Sequence, residues 1–157
     1  MIEIKKTIKD DIEEMMNVRL EMLREVNNLP DDVEFGKTLV DSSRDYFLNG
    51  DQTTILASDS CCDGKERKII GCASISYITI MPTFDHPTGK RAHLMNVYVN
   101  KNYRRQGIAQ KMIKLLIEEA KSRGVTEISL DATEAGRPLY KSLGFSENNA
   151  GMVLELR

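Results

Sequence analysis

Apolar and polar positions switch between two periods along this chain. Ile2, Ile4 and, after a Lys-Lys-Thr stretch, Ile8 alternate with polar residues and predict a first strand over 2–8. Asp10 and Asp11 are helix-start residues, and the following pattern predicts a helix over 11–27 with Ile12, Met15, Met16, Arg19, Leu20, Leu23 and Val26 on one stripe. Arg19 is the odd member of that stripe, and it is expected to pack its stem and leave its head free at the rim. Asn27-Asn28-Leu29-Pro30 ends the helix, and a second helix is predicted over 33–49, stopped by Asn49-Gly50-Asp51. Strand patterns follow at 53–58 and 69–81, separated by a polar hairpin loop over 59–68 that contains Gly64. A turn-rich loop over 82–91 carries Phe84, Asp85, His86 and Pro87. The fourth strand is predicted over 92–99, a third helix over 104–123 with Gly124 as its stop, and a fifth strand over 125–131. A short fourth helix over 137–143 ends at Gly144, and residues 145–156 have room for two short strands around 148–151.

The resulting order is β-α-α-β-β-β-α-β-α-β-β. The fourth strand, third helix and fifth strand form a crossover unit, so those two strands are expected to be parallel neighbours, with antiparallel hairpins before them. This predicts an α/β fold of mixed α+β character, with a central mixed sheet and helices on both faces. No repeat, low-complexity tract or linker divides the chain, so residues 1–157 are expected to form a single domain.

Composition narrows the function classes. The 157 residues are 41% hydrophobic and 29% charged, which suits a globular chain with its own core. With 22 basic and 24 acidic side chains the net charge is −2, so nothing global points to nucleic acid or a membrane surface. The first residues hold no long apolar run and no stretch approaches membrane-spanning length, so the expected location is the cytoplasm. Cys61, Cys62 and Cys72 are an odd set with an adjacent pair, and the only histidines are His86 and His93. Reduced thiols and no metal site are the expectation.

The stretch LMNVYVNKNYRRQGIAQKMIKLLIEEA, residues 94–120, carries the chemistry. An apolar strand feeds a short basic loop and then an amphipathic helix, with Ile108, Met112, Leu115, Leu116 and Ala120 on one face and Lys111, Lys114, Glu118 and Lys121 on the other. A helix start has unpaired amides and the positive end of the helix dipole, so it attracts phosphate where the backbone is accessible. Gly107 and Ala109 supply access, and Arg104 and Arg105 supply charge. No Walker pattern and no GxGxxG is present. What is present is Arg-x-x-Gly-x-Ala directly after a strand, which resembles the acetyl-CoA signature of the GNAT superfamily of N-acetyltransferases. Residues 135–145, Ala-Gly-Arg-Pro-Leu-Tyr-Lys-Ser-Leu-Gly-Phe, also resemble the family's short tyrosine-bearing helix after the fifth strand.

The resemblance implies a GNAT-like fold and acetyl-CoA as cosubstrate. Amides near Arg104, Arg105, Gln106, Gly107, Ile108 and Ala109 would hold the pyrophosphate. The edge of the fourth strand at Val97, Tyr98 and Val99 would pair with the pantetheine arm as a mimic strand. An amide near Val97 would polarise the thioester carbonyl. Tyr140 would donate to the departing thiolate.

Amine attack on a thioester needs the neutral amine. With a pKa near ~10.4, only about one molecule in 2,500 is neutral at pH 7, a deficit of roughly 4.6 kcal/mol that a base or an apolar pocket must offset. Glu134, Asp131 and His93 are the candidate bases, directly or through water. The expected activity is direct acetyl transfer to a small-molecule or peptide amine in a ternary complex. A non-catalytic acyl-CoA sensor on the same fold is the rival, because fold and cofactor site do not prove catalysis. The acceptor pocket is expected from the first two helices and the 82–91 loop, with Phe84 a candidate for its lining. A C-terminal edge strand makes a homodimer a candidate assembly.

Overall fold

Neighbours in sequence are neighbours in the sheet. The computed structural model describes residues 1–60 and 66–157. They run β1 (Ile2–Lys6), α1 (Ile12–Val26), α2 (Lys37–Asn49), β2 (Gln52–Asp59), β3 (Lys68–Thr79), β4 (Lys90–Val99), α3 (Ile108–Ser122), β5 (Glu127–Ser129) and α4 (Arg137–Ser142), with 3-10 turns at Lys9–Asp11 and Lys101–Tyr103. The sheet order is β1-β2-β3-β4-β5. Every pairing is antiparallel except β4 with β5, which is parallel as the crossover requires. The expected hairpin loop between β2 and β3 includes Cys61, Cys62 and Gly64, which lie outside the described residues.

Helices cover both faces. Ile108, Met112, Ile113, Leu116 and Ala120 of α3 pack on Ile55, Ala57, Ile70, Ala73, Ile75, Ala92, Leu94 and Val99. Met15, Met16, Val18 and Met22 of α1, with Phe47 of α2, pack on Leu56, Cys72 and Tyr98 from the opposite face. Strand alternation divides the two sets, as with Ile55 and Ala57 against Leu56. The register skips Ile70 between Gly71 and Ile69, and that extra residue returns Ile70 to the α3 face beside Ala73 and Ile75.

Several boundaries and faces differ from expectation. On α3 the buried member is Ile113, while Leu115 is 47% exposed. At 100° per residue Leu115 sits about 90° from the centre of the buried stripe. On α1 the stripe takes Val18 and Met22 in place of Val26, which is exposed at the helix end. Residues 33–36 stay outside α2, and Gly36, its N-cap, is extended. The fifth strand is three residues long and residues 145–157 form no strand, so the two C-terminal strands are absent among the described residues.

Candidate active site

The expected helix start at Arg104 is a loop, and α3 begins at Ile108. Arg105 and Gly107 both take left-handed backbone, with φ of 63° and 77°. A side chain at Gly107 would meet nothing within 4 Å, so glycine is there for its backbone freedom and for open approach rather than for packing. Two left-handed residues ahead of a helix turn successive amides toward one concavity, which together with the first-turn amides of α3 suits a phosphate. The residues present therefore fit a pyrophosphate.

Arg104 is committed elsewhere. Its Nε donates to the Val99 carbonyl at 2.8 Å and its guanidinium pairs with Glu25 of α1. The Tyr98 hydroxyl reaches Glu21 and Glu25, each at 2.9 Å. Burial works against the charge on Glu25, but hydrogen bonds from Arg104 and Tyr98 outweigh it and hold the carboxyl below its ordinary range. Burial and those two carboxylates push the Tyr98 phenol strongly upward. Of the two arginines, Arg105 is the one whose charge no described carboxylate neutralises.

β4 supplies the other half of the site. It pairs with β5 only through Arg91, Ala92 and His93, so from Leu94 onward its outer edge is unpaired. Within that free stretch the register gains one residue between Met95 and Tyr98, and Asn96 adopts φ of 59°. This bulge kinks the strand where its free edge begins, and asparagine tolerates the left-handed conformation it demands. Val97 and Val99 turn to the α3 side, and Tyr98 to the α1 side.

The candidate catalytic side chains fall in different places. Tyr140 of α4 is half-buried against the α3-side core, edge-on to Phe145 at 5.9 Å between ring centroids. Burial raises its phenol above the ordinary value, so it is a neutral donor through the physiological range. Its hydroxyl makes no hydrogen bond to a described group. Glu134 is almost fully exposed, 3.4 Å from the Arg137 Nε. Asp131 is also exposed, with its carboxylate 3.8 Å from the His93 Nε2. His93 stands at the last β4–β5 rung, its Nδ1 2.7 Å from the Ser129 hydroxyl. Since Ala92 and Leu94 enter the α3-side core, His93 faces the α1 and α2 side. Cys72 is buried beneath that side, its thiol pushed up to about 12 by desolvation, which makes it a poor nucleophile.

A cavity of about 230 Å³ lies against α1 and α2, where a pocket was expected, but sequence reasoning missed its wall on β3 and β4. Arg19, Ser42, Ser43, Tyr46, Met95 and Asn96 line it. No residue of the 82–91 loop lines this cavity, and Phe84 is fully exposed. The signal available in sequence was Arg19 inside an apolar stripe. Among the described residues, no three His, Cys, Asp or Glu side chains gather as a metal site, and no helix is long and apolar enough to cross a membrane.

Comparison with known proteins agrees with this geometry. A glucosamine 6-phosphate N-acetyltransferase of Trypanosoma brucei brucei is 32% identical over 95 residues, 60% of this chain and 63% of that protein. The ribosomal protein bS18-alanine N-acetyltransferase of Escherichia coli K12 is 39% identical over 59 residues, 36% of this chain and 40% of that protein. The matched stretch is thus less than two thirds of either relative's length. A predicted acetyltransferase of Clostridium acetobutylicum, solved with acetyl-CoA, superposes with a TM-score of 0.81 at 27% identity, covering 99% of this chain and 96% of that one. The sequence profile of the Acetyltransferase (GNAT) family matches residues 20–145. The chain belongs to the GNAT acetyltransferase family.

Proposed function

We propose that this protein transfers the acetyl group of acetyl-CoA directly to an amine held in the same complex. The observation that carries this reading is the free β4 edge from Leu94, which meets the left-handed Arg105-Gln106-Gly107 loop on one side and the Arg19 cavity on the other. The relatives named above act on amines, and the C. acetobutylicum protein was solved with acetyl-CoA.

The amides of Arg105, Gln106, Gly107, Ile108 and Ala109 hold the pyrophosphate, with Arg105 rather than Arg104 as the nearby cation. Peptide groups of Val97, Tyr98 and Val99 pair with the pantetheine arm, and the Val97 amide donates to the carbonyl oxygen as charge develops on it. The amine nitrogen attacks the carbonyl carbon, the new C–N bond forms and the C–S bond breaks. His93, oriented by Ser129 and Asp131, receives the amine proton directly or through water. Tyr140 donates a hydrogen bond to the departing thiolate. Full proton transfer from an ordinary phenol to a thiolate is uphill by roughly 2 kcal/mol, and burial of Tyr140 makes it more so. Its main role is therefore hydrogen-bond stabilisation, with the proton finally supplied through solvent. The exposed Glu134 has no part in this scheme.

The test is release of free CoA thiol from acetyl-CoA with a panel of amines. Thiol release that requires an amine is expected. Tight acetyl-CoA binding without thiol release for any amine would make the protein a sensor and overturn the enzymatic reading.

A further inference from the structure

We propose that the cavity between α1, α2 and β4 recognises its amine by an anionic group, a carboxylate or phosphate, with Arg19 as the counter-ion. This rests on the transferase reading of the β4 edge. Arg19 lies between Met15 and Met22 on the buried stripe of α1, so its guanidinium is carried into the cavity rather than out to water. It makes one bond to the Asn96 Oδ1 at 3.2 Å and a weak contact to the Met22 sulfur at 4.0 Å. Among the described residues no carboxylate pairs with it. A guanidinium has five donors, so most of its capacity faces the cavity unspent. A desolvated cation without counter-charge is costly, and a ligand anion removes that cost.

The surroundings hold the arginine in place. Asn96 donates to the Ser74 hydroxyl at 3.2 Å, and Ser74 in turn bonds Thr54 at 2.8 Å, both buried in the sheet. Tyr46 is fixed by Ser76 at 2.7 Å and Ser43 by the Leu39 carbonyl at 2.6 Å, while the Ser42 hydroxyl lines the same space. Burial lowers the Arg19 pKa from its ordinary value, consistent with a partly dehydrated group. Asn96 is also the bulge residue, adjacent to Val97, so an anion on Arg19 leaves the amine of a short molecule beside the reacting carbonyl. A volume of about 230 Å³ admits a small amine of this kind.

Matched pairs of acceptors test the proposal: α-amino acids against their primary amides, and an amino sugar phosphate against the free amino sugar. The anionic member is expected to have a kcat/KM higher by roughly 10- to 150-fold, the range of a charge-assisted hydrogen bond. Arg19→Met should erase that preference, and Arg19→Lys should restore part of it. Which pair shows the preference separates carboxylate from phosphate. Equal or better use of the neutral members by the wild type overturns the proposal, whether or not a variant folds. Should no amine be acetylated, thermal shifts with inorganic phosphate and N-acetylglycine decide. Stabilisation of wild type alone keeps the anion site while the transferase reading fails, and no stabilisation overturns the site.

Discussion

The two sides of β4 are made of different material. On the α3 side the site is backbone: left-handed Arg105 and Gly107, the first amides of α3 and the free peptide edge from Leu94. On the α1 and α2 side it is side chains drawn from four elements, with Arg19, Ser42, Tyr46, Ser74 and Asn96 converging on one cavity. Backbone recognition needs a contiguous stretch with glycine at a fixed place, so its sequence trace is a motif. Side-chain recognition needs only convergence in space, so it leaves no local trace and is free to differ between proteins that share the first half.

The largest test of this division concerns the chemistry between the halves. Tyr140→Phe keeps the ring against Phe145 and deletes the donor, so kcat should fall by ~10²–10³-fold while acetyl-CoA affinity stays nearly constant. Single-turnover acetyl transfer alongside cofactor affinity checks this, and a parallel fall in both would make the residue part of the backbone half's binding surface. Next, Gly107→Glu forces a side chain and a negative charge onto a φ of 77°. The backbone strain and the opposing charge, about 1–2 kcal/mol each, should weaken acetyl-CoA binding roughly 30- to 800-fold by calorimetry. Binding of an anion at Arg19 should be untouched, and coupled losses would show that the halves are not independent.

The smallest effect is expected where the halves are fastened together. Glu25→Gln removes the α1 carboxylate that holds Arg104, a partly exposed pair, so the loss should be about 1 kcal/mol or less and the melting temperature should drop by roughly 2–4 °C at pH 7. The folded-state pKa of Glu25 is lowered, so its contribution is present above the unfolded value near ~4.3 and disappears as pH falls through the folded value. Thermal melts of the two proteins should therefore converge as pH falls below the lowered folded-state value of Glu25. A gap that persists there would assign the effect to packing.

Legibility followed the same division. The β4–α3–β5 crossover and the anion loop were readable because their determinants are local, although the helix was placed four residues early. Arg104 through Gly107 look helical by composition, and the left-handed φ of Arg105 has no side-chain signature. Arg19 stood out as a charge in an apolar stripe, but its destination depends on a bulge in a strand 77 residues away. Two short C-terminal strands were expected within 145–156, around 148–151, because the stretch had room for them. A strand also needs a paired neighbour, and residues 145–157 pair with no described strand.

The sequential order of the sheet also bears on how the chain is assembled as it leaves the ribosome. β1 to β4 pair only with strands next in sequence, so the meander that carries the Arg19 cavity is complete once residue 99 has emerged. The β2–β3 and β3–β4 hairpins close over shorter loops than the parallel β4–β5 contact, which has to wait for α3 and is the later event. Ile55→Val in the meander should therefore slow folding, whereas Ile128→Val in β5 should mainly speed unfolding, and equal partitioning in stopped-flow chevrons would reject this order. A nascent chain would then acquire its acceptor side before it has anywhere to put a cofactor.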